Sequence, residues 1–206
     1  PGKKPWHVVA FTLAEIQALD AGAWFLSSDP FGQIAAGVVD PKLEEFENTP
    51  VPTLEEALVF TKENNWIANL ELKPNPPPMD QYPVVERTLQ MIDFVGIDPQ
   101  QVVISSFHHP WLHEVKAHTR DVAVQALVGW GNRKELKVPE LAFDVYNISR
   151  QLAGKDRIRW LQDLGKQVNV YTVNDESEMR RLLDAGVNGM FTDFPQRLAQ
   201  VLKGTN

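Results

Sequence analysis

Trp66-Ile67-Ala68-Asn69-Leu70-Glu71-Leu72-Lys73-Pro74 decides how the rest of this chain is read. Its first three residues are apolar and follow polar turn residues, the pattern of a strand buried in a parallel sheet. Side chains alternate along a strand, so Asn69, Glu71 and Lys73 share one face while Leu70 and Leu72 take the other. A carboxylate and an ammonium at the end of a buried strand form a structural pair or hold a ligand, because unpaired buried charge is costly. The stretch alone leaves both readings open.

On either side, strand and helix alternate. Upstream, Thr12-Leu13-Ala14-Glu15 fits a capping box and opens a short helix ending near Asp20-Ala21-Gly22. Residues 24–52 show little periodicity, and Pro30, Gly32, Gly37 and Pro41 mark an irregular loop of the length often used for lids and binding elements. A second box, Thr53-Leu54-Glu55-Glu56, starts a helix with Leu54, Ala57, Leu58 and Phe60 as apolar positions. Downstream, the proline-rich residues 74–83 are a loop, and 84–94 a helix with Val85, Leu89 and Ile92 on one face.

The later strands are expected at Val102-Val103-Ile104-Ser105-Ser106-Phe107, then 122–128, 143–148, 168–173 and 189–192. Helices fall at 111–117 and at 155–164, where Gly165 stops the second; another, capped by Asn174, ends at Gly186, and the last starts at Pro195. Strands alternating with helices mean parallel βα units joined by right-handed crossovers, in a doubly wound sheet or a (β/α) barrel. No glycine-rich phosphate loop follows any strand, which weakens the nucleotide-binding option. Polar residues instead end several strands: Glu71 and Lys73, Ser106, Asn147, Asn174, Asp193. Such a ring suits a barrel, whose sites gather at the carboxyl ends of the strands. The fold class is therefore α/β, a TIM-type (β/α)8 barrel, although this reading finds two strands too few to close it.

Composition sets outer bounds. The chain has 206 residues, enough for one sizeable core, with 43% hydrophobic and 23% charged residues, as in ordinary globular domains. A net charge of -7 argues against non-specific nucleic-acid binding. No run approaches the roughly 18 apolar residues of a membrane span. Cysteine is absent, which excludes disulfides and thiolate metal sites and leaves the compartment undecided. The opening Pro1-Gly2-Lys3-Lys4-Pro5 has neither an initiator methionine nor an apolar signal segment.

The motifs occur in a telling order. Thr12-Leu13-Ala14-Glu15 with Leu19-Asp20-Ala21-Gly22, then Val51-Pro52-Thr53-Leu54-Glu55-Glu56, then Asn69-Leu70-Glu71-Leu72-Lys73 resemble the glycerophosphodiester phosphodiesterase family. Ile104-Ser105-Ser106-Phe107, Val170-Tyr171-Thr172-Val173-Asn174 and Gly186-Val187-Asn188-Gly189-Met190-Phe191-Thr192-Asp193-Phe194-Pro195 continue the resemblance nearly to the end. It implies one eight-stranded barrel domain over residues 1–206, supplying strands three to eight. It also implies metal-dependent hydrolysis of a small-molecule glycerophosphodiester to glycerol 3-phosphate and an alcohol. The family's His-Arg-Gly strand, Glu-x-Asp strand and His-Asp turn are not found here, so the first two βα units and both catalytic histidines are expected upstream.

Residue by residue, the resemblance makes Glu71 a ligand of a divalent cation, Mg²⁺ or Ca²⁺, and Lys73 the catalytic ammonium that neutralises a phosphate oxygen. Phe107 and Tyr171 match the pocket wall and would contact substrate, Tyr171 standing where many relatives have Trp; as core aromatics they need no such role. Thr192 and Asp193 would orient the loop after the last strand. His108 and His109 match neither family histidine and read as solvated loop residues; His113 and His118 fall on or beside a surface helix, and His7 lacks a following Asp. Two alternatives stand beside the hydrolase: a non-catalytic barrel remnant that binds a phosphorylated ligand or partner, and a related phospholipase that cyclises a lysophospholipid. Oligomeric state, headgroup and compartment are not written in these residues.

Overall fold

The computed structural model describes residues 6–42, 46–129, 136 and 141–204; the opening five residues lie outside that set. Parallel strands β1 (Ala68–Glu71), β2 (Val102–Ser106), β3 (Ala123–Val128), β4 (Val145–Ser149), β5 (Gln167–Tyr171) and β6 (Gly189–Met190) form one curled sheet in the order β1-β2-β3-β4-β5-β6. A doubly wound sheet reverses its strand order at a switch point. Here each strand pairs with its predecessor in the chain, as in a barrel wall.

Sheet and covering helices make one compact unit, Asn65–Lys73 with Val84–Asn206. Its helices are α4 (Val84–Val95), α5 (His109–His118), α6 (Lys155–Asp163), α7 (Glu176–Asp184) and α8 (Pro195–Lys203). The first four turn a narrow apolar stripe inward: Val85 and Ile92 on α4, Leu112 and Val115 on α5, Ile158 and Leu161 on α6, Met179 and Leu182 on α7. They bury with the outer strand positions Val102, Ile104, Tyr146, Ile148, Val168 and Val170, all at 0% exposure. Each such aliphatic side chain contributes about 1.5–3 kcal/mol relative to leaving it in water. Gly165 (φ 73°) and Gly186 (φ 84°) end the chain's turn out of α6 and α7 in the left-handed region, as a terminating glycine does.

The second unit is Pro1–Asn64 with Pro74–Pro83. It carries α1 (Leu13–Gln17), α2 (Ala23–Ser28) and α3 (Leu54–Glu63). Both expected capping boxes form: the Thr12 side chain accepts from Glu15 N, and the Thr53 side chain from Glu56 N. Residues 24–52 depart from the expectation of an irregular loop, because α2 opens the stretch. Asp20 explains it: its Oδ1 accepts from the N–H groups of Gly22 (2.9 Å) and Ala23 (3.0 Å), satisfying donors of the first turn. Its Oδ2 accepts from Asn48 N at 2.7 Å, tying the far end of the loop to α2. These backbone hydrogen bonds hold the Asp20 carboxyl below the usual carboxylate range. Gly22 completes the junction, since a Cβ there would stand 1.8 Å from the Phe46 carbonyl oxygen.

One strand expectation fails. Trp66 is 59% and Ile67 70% exposed, and pairing starts only at Ala68. Apolar composition predicts burial, but β1 is an edge strand among the described residues, and Trp66 and Ile67 precede its ladder. Replacing Thr53 by Ala removes the α3 cap and is expected to lower stability by about 1 kcal/mol. Urea denaturation measures it as a lower midpoint at unchanged slope; an unchanged midpoint contradicts the capping assignment.

Candidate active site

In-register pairing decides which side chains meet. Glu71 opposes Ser105 and Ser105 opposes Gln125, while Asn147 opposes Asn169 and Asn169 opposes Gly189. Neighbouring strands in register share faces, so these residues line the surface opposite to the buried aliphatic positions. Ser106 belongs to the other face; its hydroxyl donates to Leu72 O at 2.7 Å and accepts from His108 N at 3.0 Å, fixing the carboxyl ends of β1 and β2 together.

Glu71 and Lys73 do meet, Nζ to Oε2 at 3.5 Å. They are not a buried pair, however: the Lys73 side chain is 72% exposed and that of Glu71 34%. The strand ends at Glu71 and the chain leaves toward Pro74, which carries the ammonium into solvent. An exposed pair of this kind stabilises a fold by 1 kcal/mol or less, on the order of thermal energy. Fold stability does not account for it, and both charges remain reachable by a ligand.

Phe107 and Tyr171 come together edge to face, with ring centroids 6.1 Å apart. The Tyr171 hydroxyl donates to Val128 O at 2.8 Å, reaching past β4 to the end of β3. Burial, with the negative charge of Glu71 adding to it, pushes the phenol up to about 12. At neutral pH it is therefore a protonated donor committed to a carbonyl, so what Tyr171 can offer a ligand is its ring. Beyond Val128, Gly129 has φ 117°, and a Cβ there would stand 2.5 Å from Ser149 Oγ, so the chain leaves β3 in a conformation that only glycine fills without strain.

Asn174 is not the helix cap expected from sequence. Asp175 caps α7, accepting from Glu178 N at 2.9 Å. Asn174 instead binds the turn after β6: its Nδ2 donates to Asp193 Oδ2 at 2.7 Å, and its Oδ1 accepts from Asp193 N (3.0 Å) and Thr192 Oγ1 (3.2 Å). Arg197 donates to Asn174 O and lies over the Phe194 ring at 4.3 Å. Either Asx could cap the same helix, and sequence alone chose the neighbour one residue early.

The histidines of α5 also need correction. His108 precedes the helix, exposed, with its ring 4.7 Å from that of Trp111. His109 is not a solvated loop residue: it begins α5 at 7% exposure and places Nε2 3.0 Å from Leu127 O, which makes that nitrogen the donor. Its ring meets Phe143 at 5.5 Å, and His113 meets the same ring at 4.8 Å. Because α5 covers β2 and β3 through Leu112 and Val115, these rings sit on the helix side, not beside Glu71.

Among the described residues, no group of three or more His, Cys, Asp or Glu side chains is gathered as a metal site. Mg²⁺ and Ca²⁺ take about six to eight oxygen ligands, several from carboxylates or water. Glu71 offers one carboxylate, and its ionic partner is an ammonium. The described residues therefore do not by themselves fit a divalent cation. Sequence reasoning missed Ser105, Gln125 and Asn169 on this face; polar residues at alternate strand positions were the available signal.

A parallel strand wall in sequential order, with charged and aromatic residues at its carboxyl ends, has the architecture of a (β/α)-barrel protein. The chain belongs to the glycerophosphoryl diester phosphodiesterase family, whose family model matches residues 2–197. A glycerophosphodiester phosphodiesterase of Bacillus subtilis (strain 168) is 30% identical over 203 residues, covering 94% of this chain and 65% of the relative. One from Caldanaerobacter subterraneus is 26% identical over 200 residues, covering 94% of this chain and 72% of the relative. Among solved structures, an Oleispira antarctica phosphodiesterase in complex with the product sn-glycerol-3-phosphate superposes with TM-score 0.72 at 22% identity, over 95% of this chain and 72% of that one. This likeness shows the barrel fold. The chain thus spans about two thirds of the length of the Bacillus subtilis relative, 65%.

Tyr171 should remain protonated well beyond pH 10. Its folded value lies above the unfolded value of 10, so the folded state holds a proton that the unfolded chain releases, and stability falls as pH rises from 10 through about 12. Ultraviolet titration of wild type against Tyr171→Phe isolates this phenol. Its tyrosinate absorbance is expected above pH 11, and complete ionisation by pH 10 contradicts the assignment.

Proposed function

We propose that residues 1–206 act as part of one barrel domain that hydrolyses glycerophosphodiesters to sn-glycerol 3-phosphate and an alcohol. The observation that carries this reading is the Glu71–Lys73 pair at 3.5 Å, exposed at the carboxyl end of a barrel strand in a chain of this family. The Oleispira relative's product complex supports a glycerol phosphate as the bound species. No helix of the described residues is long and apolar enough to cross a membrane.

The reaction breaks the phosphorus–oxygen bond to the alcohol. A water oxygen attacks phosphorus and gives up a proton to a base, while the departing alkoxide takes one from an acid, so atoms and charge balance. The two upstream histidines implied by the family resemblance would perform these transfers. Lys73 neutralises a non-bridging oxygen as charge builds, and its exposure leaves the ammonium free to swing from Glu71 to phosphate. Phe107 and Tyr171 present ring faces and edges to the glycerol or headgroup carbons. Glu71 would supply one ligand to Mg²⁺ or Ca²⁺; completing that shell needs groups beyond the described residues.

Glycerophosphocholine hydrolysis by the purified protein, followed as glycerol 3-phosphate released, tests the reading. Glu71→Ala is expected to abolish turnover with the fold intact by circular dichroism. Lys73→Ala is expected to slow it by about two to three orders of magnitude. Hydrolysis by Glu71→Ala at the wild-type rate would show that the site is misplaced.

A further inference from the structure

A row of polar side chains crosses the sheet beneath the site, and none of the roles above uses it. Asn169 Nδ2 donates to Asn147 Oδ1 at 2.9 Å, and Asn147 Nδ2 donates to Gln125 Oε1 at 2.9 Å. A longer contact, 3.5 Å, runs from Asn169 Nδ2 to the same Gln125 oxygen. All three donate in one direction, from β5 through β4 to β3. Gly189 closes the far end: a Cβ there would stand 2.7 Å from Asn169 Oδ1, so the strand approaches this amide as only glycine allows.

At the near end the chain stops short. Gln125 accepts with its oxygen, which leaves its Nε2 hydrogens to donate onward. In register on the next strand is Ser105, at 0% exposure, and its Oγ has no hydrogen-bond partner among the described residues. One strand further, again in register, is Glu71. A buried hydroxyl without a partner costs free energy and calls for a physical reason. Bulk solvent does not reach this oxygen, which has almost no accessible surface. The polar side chains in register on the two neighbouring strands, Gln125 and Glu71, are placed to supply a partner.

We propose that Ser105 and Gln125 are positioning residues for Glu71, completing a directional hydrogen-bond chain across the sheet that ends on its carboxylate. Gln125 Nε2 donates to Ser105 Oγ, and the Ser105 hydroxyl donates to Glu71. A serine hydroxyl can accept and donate at once, and successive bonds polarise one another in a low-dielectric interior. The device has a use only if Glu71 is the carboxylate of the site, so the inference rests on the proposed function. When Lys73 turns from Glu71 to the phosphate, the carboxylate loses its ionic partner. The hydroxyl then holds it in place.

The test combines kinetics with a crystal structure of the protein bound to sn-glycerol 3-phosphate. Ser105→Ala and Gln125→Met each break one link, and each is expected to lower kcat about tenfold with KM unchanged within twofold. The double variant should be no slower than either alone, because both changes cut one chain. Additive losses, or Ser105→Ala at the wild-type kcat, overturn the proposal. If one single variant does not fold, the tenfold fall in kcat expected of the other, with wild-type kcat as the overturning result, carries the test. In the crystal, Ser105 Oγ should lie within about 3 Å of a Glu71 oxygen; Glu71 still on Lys73, with Ser105 unpartnered, overturns it. That distance is readable even if wild type hydrolyses no glycerophosphodiester, a result that would sink the proposed function and not the chain.

Discussion

Parallel, in-register pairing of consecutive strands is the constraint on which everything else here depends. Because Glu71, Ser105 and Gln125 stand in register, polar groups separated by decades of sequence fall on one face. The aliphatic positions between them fall on the other and pack against α4 to α7. A slip of one residue at any ladder would turn Glu71 or Asn147 into the helix layer and Ile104 or Ile148 out of it, at several kcal/mol for each buried group misplaced. Core packing and site assembly are thus one requirement. The outer face fixes the register, and the inner face inherits its chemistry.

That coupling explains what could be read from sequence. Capping boxes at Thr12 and Thr53 are local signals and formed as expected. Strand alternation placed Glu71 and Lys73 on one side, and they meet. The failures concern information that no local window contains. Trp66 and Ile67 look buried until their strand is seen at the sheet edge. His109 looks like a loop residue until α5 is found to start on it and turn its ring to Leu127 O. Asn174 and Asp175 are equally good caps, and only the approach of the β6 turn draws Asn174 away. Of the amide row the sequence shows only polar residues at alternate strand positions, Asn147 among them; that Gln125, Asn147 and Asn169 join across three strands follows from the register.

The inner face combines two kinds of polar group with different tasks. At its carboxyl end the charges of Glu71 and Lys73 are partly or largely exposed and reachable from solvent. Below, the amides are partly or wholly buried and bonded to one another, suited to rigidity. Tyr171 joins the two levels. Its ring packs edge to face with Phe107, and its hydroxyl anchors the end of β3. Barrels in general separate a stabilising body from a reactive rim in this way; here the division runs through single strands, with Asn169 and Tyr171 two residues apart on β5.

The central claim is that this site directs water to the phosphorus of a glycerophosphodiester. Hydrolysis of glycerophosphocholine in water enriched in oxygen-18, read by mass spectrometry, tests it directly. The claim predicts one labelled oxygen in the phosphate of sn-glycerol 3-phosphate and none in the choline. A cyclic phosphate free of label, or label carried by the alcohol, would contradict it.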